Sequence, residues 1–98
     1  MNISKTVDGT SMAVVLEGRL DTESAPELEA ALLDKMSQIE KLTLDFSGVE
    51  YISSAGLRVL IKLRRRLKFG GELVVTNANP LVVEVFDLTG MDNIITLA

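Results

Sequence analysis

The chain contains no cysteine and no histidine. The first absence excludes disulfides, thiol catalysis, cysteine-ligated zinc and iron–sulfur clusters. The second excludes a histidine general base, the Ser-His-Asp triad and histidine metal ligands. Among metal centres only a carboxylate-only site is left. Aromatic residues are few, one tyrosine and three phenylalanines, and there are two prolines. No apolar run reaches the roughly 18 residues needed to cross a bilayer. Met1-Asn2-Ile3-Ser4-Lys5 lacks the apolar core of a signal peptide. Taken together, these absences predict a cytoplasmic protein, not embedded in a membrane and without a cofactor.

What is present is ordinary globular composition. Of 98 residues, 47% are hydrophobic and 24% charged, which argues against disorder. That length supports one two-layer core, so residues 1–98 are read as a single domain.

The net charge is −4, but its placement says more. Six of the ten basic residues, Arg58, Lys62, Arg64, Arg65, Arg66 and Lys68, lie together, and all fourteen acids lie outside that stretch. The stretch is therefore +6 and the remainder −10. Two readings fit it: a solvated face near a helix C-terminus, where cations complement the helix dipole, or a partner-binding face. Direct nucleic-acid binding is disfavoured, because the acidic remainder repels phosphate and few aromatics are available to stack.

Along the chain, strands and helices alternate. Ile3 to Val7 and Met12 to Leu16, continuing towards Leu20, read as two strands joined by the hairpin signal Asp8-Gly9. Lys5 and Lys41 suit strand edges or ends. Ser24-Ala25-Pro26-Glu27 has the form of a capping box, and Leu28, Ala31, Leu32, Met36 and Ile39 follow at helical spacing. Leu42, Leu44 and Phe46 alternate as a strand running into a turn signal, Ser47-Gly48. Leu57, Leu60, Ile61 and Leu67 form a second helical stripe, with Arg58, Lys62 and Arg65 on another face and Gly70-Gly71 ending it. Leu73-Val74-Val75 is a buried strand. Leu81 to Phe86 has strand-forming residues, but Pro80 before it and Gly90 after it decide for a helix. Ile94 to Leu97 is a last strand. The fold class is α/β in the order β-β-α-β-α-β-α-β, predicting a mixed, mostly parallel sheet with an initial antiparallel hairpin.

Ser53 and Ser54 stand where the second helix begins. One reading is an N-cap, with a serine oxygen accepting a free helical N–H. The other is a regulatory phosphoserine, since a helix N-terminus favours an added anion. Arg58 follows Ser54 by one turn, and Gly56 is expected to leave one side of that turn bare for another protein's backbone. Nucleophilic catalysis is disfavoured: the nearest base, Lys62, is two turns on, and no nucleophile elbow or phosphate-binding glycine loop is present. The chain is read as a non-enzyme.

Phe46-Ser47-Gly48-Val49-Glu50-Tyr51-Ile52-Ser53-Ser54-Ala55-Gly56-Leu57 resembles the phosphorylation loop of STAS domains, specifically the bacterial anti-sigma factor antagonists. Leu16-Glu17-Gly18-Arg19-Leu20-Asp21 resembles the family's second strand and its Gly-x-Leu-Asp signature, Gly70-Gly71-Glu72-Leu73 the start of its next strand, and Val85 to Gly90 its third helix. The resemblance implies a single STAS-like domain acting as a partner switch. Unphosphorylated, it binds an anti-sigma factor that is itself a serine kinase and thereby regulates transcription. The kinase then phosphorylates a loop serine, the complex dissociates, and a serine phosphatase reverses the mark. By register Ser54 is the phosphoacceptor, with Ser53 its rival. The implied partner surface comprises Asp21, Ser53, Ser54, Ala55, Gly56, Leu57 and Arg58, with Asp45 close by. Ser53 stands where the family usually has aspartate, and Ala55 where it has serine or threonine. Many members also carry one more helix after the last strand, whose absence would leave an apolar surface for a partner or a second copy to cover. The alternative is a STAS scaffold without phosphorylation, as a subunit of a signalling or transporter complex.

Overall fold

The computed structural model describes all 98 residues, Met1–Ala98. The elements are β1 (Asn2–Asp8), β2 (Ser11–Leu20), α1 (Ala25–Leu32), β3 (Lys41–Ile52), α2 (Ser54–Arg66), β4 (Glu72–Thr76), α3 (Pro80–Thr89) and β5 (Thr96–Leu97). The sheet order is β1-β2-β3-β4-β5, with β1 antiparallel to β2 and every later pair parallel. Alternation of strand and helix therefore gave the right architecture.

Each parallel strand lies beside its predecessor, and the right-handed crossover rule then sends α1, α2 and α3 to one sheet face. Period-two alternation in β2 matches that arrangement. Met12, Val14 and Leu16 are buried, while Ser11, Ala13, Val15 and Glu17 are exposed. Leu42, Leu44 and Phe46 of β3 point to the same covered face and join a core of 24 buried residues. Phe46 meets Phe86 of α3 with ring centroids 6.1 Å apart and planes inclined at 51°, a tilted geometry that the ring quadrupoles favour.

Several expected boundaries shift for physical reasons. Ser47-Gly48 is not a turn, because β3 runs through it. β3 instead takes up one extra residue between Asp45 and Gly48 and another between Val49 and Tyr51, relative to β2. A Cβ at Gly48 would lie 2.8 Å from Glu17 Cγ and 2.9 Å from the Leu16 carbonyl, so glycine admits the bulge. The first helix divides: α1 ends at Leu32 and Leu33–Gln38 continues as a 3-10 helix that still buries Met36. The last strand is shorter than expected, since Ile94 and Ile95 precede β5. α3 forms as expected. Asn79 Oδ1 accepts the Val82 N–H at 2.8 Å, and Gly90 closes the helix at φ 75°.

Lys5 lies on the edge strand, as read from sequence, and Lys41 opens β3. The Lys5 ammonium donates to the Ala31 carbonyl at 3.1 Å, and the neighbouring Lys35 charge holds its pKa below the ordinary lysine value.

Candidate functional site

The site lies at the end of the sheet where β2 and β3 finish and α2 starts. Parallel crossovers place every helix N-terminus at the carboxyl ends of the strands, where open α/β sheets build their sites. Ser53 N–H donates to the Leu20 carbonyl at 2.9 Å, which ties the start of α2 to the end of β2.

Only one of the two serines caps the helix. Ser53 is the N-cap: its backbone is extended (φ −98°, ψ 175°), and its hydroxyl accepts the Gly56 N–H at 3.4 Å. Ser54 is the first helical residue, exposed, with its hydroxyl outside the capping bond. The first turn of α2 carries no acid, so its positive end is uncompensated. Arg58 is exposed and folds back over this turn, its Nε donating to the Ser54 carbonyl at 3.4 Å rather than to the hydroxyl. Ala55 and Leu57 are half-buried.

Gly56 does not leave a bare side for another protein. It is buried against β2: a Cβ there would fall 2.8 Å from Leu20 Cγ, 2.9 Å from Ile52 Cγ1 and 3.0 Å from the Leu20 carbonyl. Its missing side chain lets α2 pack closely on its own sheet.

Asp21 faces the same region from the end of β2. Its Oδ1 accepts the N–H groups of Glu23 at 3.0 Å and Ser24 at 3.1 Å, and its carbonyl accepts the Ala25 N–H at 2.8 Å. The expected capping box is therefore absent, and Asp21 instead closes the turn that leads into α1. The Ser24 side chain makes no cap bond to α1; it is buried, donates to the Arg19 carbonyl and accepts the Asp21 N–H at 2.9 Å. The Ser24 N–H is the chief cause holding the Asp21 carboxyl below the usual carboxylate range, aided by the Glu23 N–H, the Ser24 hydroxyl and Arg19, against some desolvation.

Asp45 points to the open sheet face, opposite the helices. It accepts the Ser47 N–H at 2.9 Å and Asn77 Nδ2 at 3.2 Å, and these two bonds, the first the larger, lower its pKa. Its engagement is with the β3 bulge and Asn77, not with the Ser54 loop.

Two further residues belong to this end of the domain. Arg19 and Tyr51 are register partners across β2 and β3, with the guanidinium 4.7 Å from the ring centroid and Arg19 Nε 3.7 Å from Asp21 Oδ2. Sequence reading missed this pair because the two β3 bulges decide which residues face each other. The one available signal was the spacing of Arg19 and Asp21, two apart in an extended segment. Beside the serine loop, a groove of about 550 Å³ runs between α1 and α2; Thr22, Ala25, Pro26, Ala55, Arg58 and Val59 are among its lining residues.

No helix is long and apolar enough to cross a membrane.

Comparison with known proteins agrees with this fold. BtrV of Bordetella bronchiseptica, named for the anti-sigma factor antagonists, is 37% identical over 94 residues, 94% of this chain and 80% of its own. The anti-sigma-B factor antagonist of Bacillus subtilis is 28% identical over 99 residues, covering 100% of this chain and 91% of that protein. The crystal structure of an anti-sigma factor antagonist from Mycobacterium paratuberculosis superposes with a TM-score of 0.86 at 26% identity, over 98% of this chain and 83% of that one. The family model described as "Mlab, STAS domain" matches residues 3–97, and the chain belongs to the STAS domain family.

Proposed function

We infer that this protein is an anti-sigma factor antagonist, switched by phosphorylation of Ser54. The observation that carries the reading is an exposed, uncapping hydroxyl on the first residue of α2, beside a groove and an unpaired Arg58. The similarity to BtrV and the Bacillus subtilis antagonist supports the class of partner.

In the unmodified state the Ser54 loop, Asp21 and the exposed start of α2 form a contact surface for an anti-sigma factor with serine kinase activity. The kinase transfers the γ-phosphoryl group of ATP to Ser54 Oγ; the O–P bond forms as the bond to ADP breaks, and the hydroxyl proton leaves to a base of the kinase. The phosphate adds about −1.5 to −2 charge at pH 7. The free N–H groups at the start of α2 tolerate it in the isolated domain. In the complex the same charge enters an interface built without it, and desolvation there costs several kcal/mol. Each ~1.4 kcal/mol is tenfold in affinity, so no change of fold is needed. A serine phosphatase resets the switch. The setting is the cytoplasm, where ATP and sigma factors are found.

Binding to the anti-sigma partner tests this. Ser54→Ala keeps affinity and abolishes phosphate incorporation, whereas Ser54→Asp lowers affinity at least about tenfold with an unchanged circular dichroism spectrum. Equal binding by both variants, with phosphate still incorporated in Ser54→Ala, overturns the assignment.

A second reading, a subunit that is never phosphorylated, draws on Ser53 standing where relatives usually place an acid. Mass spectrometry of the chain after incubation with the partner and ATP separates the two, since this reading predicts no phosphoserine.

A further inference from the structure

The serine switch leaves most of the basic stretch unused. Arg64, Arg65 and Arg66 close α2, and none forms an ion pair within the chain; the four pairs present involve Met1, Arg19, Lys62 and Lys68. Phe69 follows them with its side chain fully in water, 104% exposed, the most exposed hydrophobic residue of the molecule. Next comes Leu88 of α3, at 76%. A single exposed apolar side chain is ordinary. The placement of these two is not.

α2 and α3 both follow a parallel strand and run back along it, so both C-termini lie at the end from which the strands start. The bonds from Lys68 N–H to the Ile39 carbonyl and from Glu72 N–H to the Glu40 carbonyl fix the end of α2 there, beside the start of β3. Leu88 is in the last turn of α3, at the same pole. Charge is segregated between the two helix ends, while Glu40, paired with Lys68, and Glu72 lie between them at the strand starts. From Tyr51 to Gly71 there is no acid, and after Lys68 there is no lysine or arginine. Glu84, Asp87 and Asp92, on and just after α3, are exposed and also unpaired.

We propose that this pole is a two-fold self-association face, on which Arg64, Arg65, Arg66 and Phe69 of one copy meet Glu84, Asp87, Leu88 and Asp92 of a second. Arg65 and Arg66 lie on the α1 flank of α2, beside Glu29 and Leu33, but a pole that carries both a basic and an acidic helix end satisfies itself under two-fold rotation, so the contact closes as a dimer. Each interface then holds two basic-to-acidic contacts and two Phe69–Leu88 contacts. The overall charge of −4 on each copy opposes approach, but charges farther than a Debye length of about 8–10 Å are screened. The local complementarity therefore governs. Lys68 is held by Glu40 at 3.5 Å and is not needed. α2 is about 18 Å long between Ser54 and Arg66, so the dimer leaves both switch loops free at its outer ends.

Sedimentation equilibrium on the full chain tests this over about 10 μM to about 1 mM protein. The wild type dimerises at about 50 mM salt, and association weakens about tenfold or more at about 500 mM. Arg65→Glu/Arg66→Glu stays monomeric, as does Glu84→Lys/Asp87→Lys. An equimolar mixture of the two restores a heterodimer, because each reversed half then faces its opposite. Phe69→Ser, at a fully exposed site that does not disturb folding, weakens the dimer at both salt concentrations. A wild type monomeric throughout overturns the proposal. So does a dimer indifferent to the charge reversals, or reversed variants that fail to pair when mixed while retaining native circular dichroism.

Discussion

The Ser53 hydroxyl accepts the Gly56 N–H at 3.4 Å, and that bond separates the work of two adjacent serines. Ser53 holds the helix start, which leaves the Ser54 hydroxyl exposed and outside the cap. Ser53→Ala removes the cap and is expected to lower stability by about 1 kcal/mol. Ser54→Ala, at an exposed position outside the cap, changes it by less than about 0.5 kcal/mol. Urea titration of both variants measures the difference; equal losses would mean that the cap is shared.

Gly56→Ala reverses a usual rule. In an exposed helix interior, alanine is favoured over glycine by about 1 kcal/mol. Here the new methyl meets Leu20 and Ile52 at 2.8–2.9 Å, with the Leu20 carbonyl at 3.0 Å. Overpacking of this kind costs about 1–3 kcal/mol. The expected outcome is a net loss of stability, read as a lower urea midpoint. A gain would show that α2 can shift outward freely.

Asp21 ties acid stability to the start of α1. Its folded pKa is lowered, so the unfolded chain binds the proton more readily. Its contribution is fully present above the unfolded carboxylate pKa, about 3.9, and is lost as pH falls through the lower folded value. Asp45 behaves in the same sense. Asp21→Asn keeps an acceptor oxygen but removes the titration. The variant is expected to lose less stability than the wild type between about pH 4 and pH 2. Denaturant midpoints across that range decide it, and identical slopes would remove Asp21 from the account.

Phe46 and Phe86 join β3 to α3 across the core. Truncating either to alanine is expected to cost about 3–5 kcal/mol, through lost burial and the cavity left behind. The double variant should lose less than the sum by about 0.5–1.5 kcal/mol, the share belonging to the ring pair. Strict additivity in that cycle would mean that the rings merely adjoin.

Much of this architecture was legible one segment at a time. Alternation in Met12-Ala13-Val14-Val15-Leu16, the Asp8-Gly9 hairpin and the Pro80 and Gly90 flanks report local geometry, which a sequence states directly. So does Ser53-Ser54 before a helical stripe, together with the motif order that carries the family resemblance. Other features depended on what lies across space. Ser47-Gly48 has turn chemistry, yet pairing with β2 draws it into a bulge. Ser24 has the spacing of a capping box, yet burial turns its hydroxyl towards the Arg19 carbonyl and leaves the Asp21 carboxylate to receive the N–H groups of the turn before α1. Gly56 looked like an opening and is a close contact, because only the packed sheet reveals which side of a helix faces inward. Nearest-neighbour preferences and periodicity gave the order of the elements, and the register of the family resemblance gave the candidate hydroxyl. Register, burial and the pole at which each helix ends were settled by tertiary packing, which brings together residues that the linear chain keeps far apart.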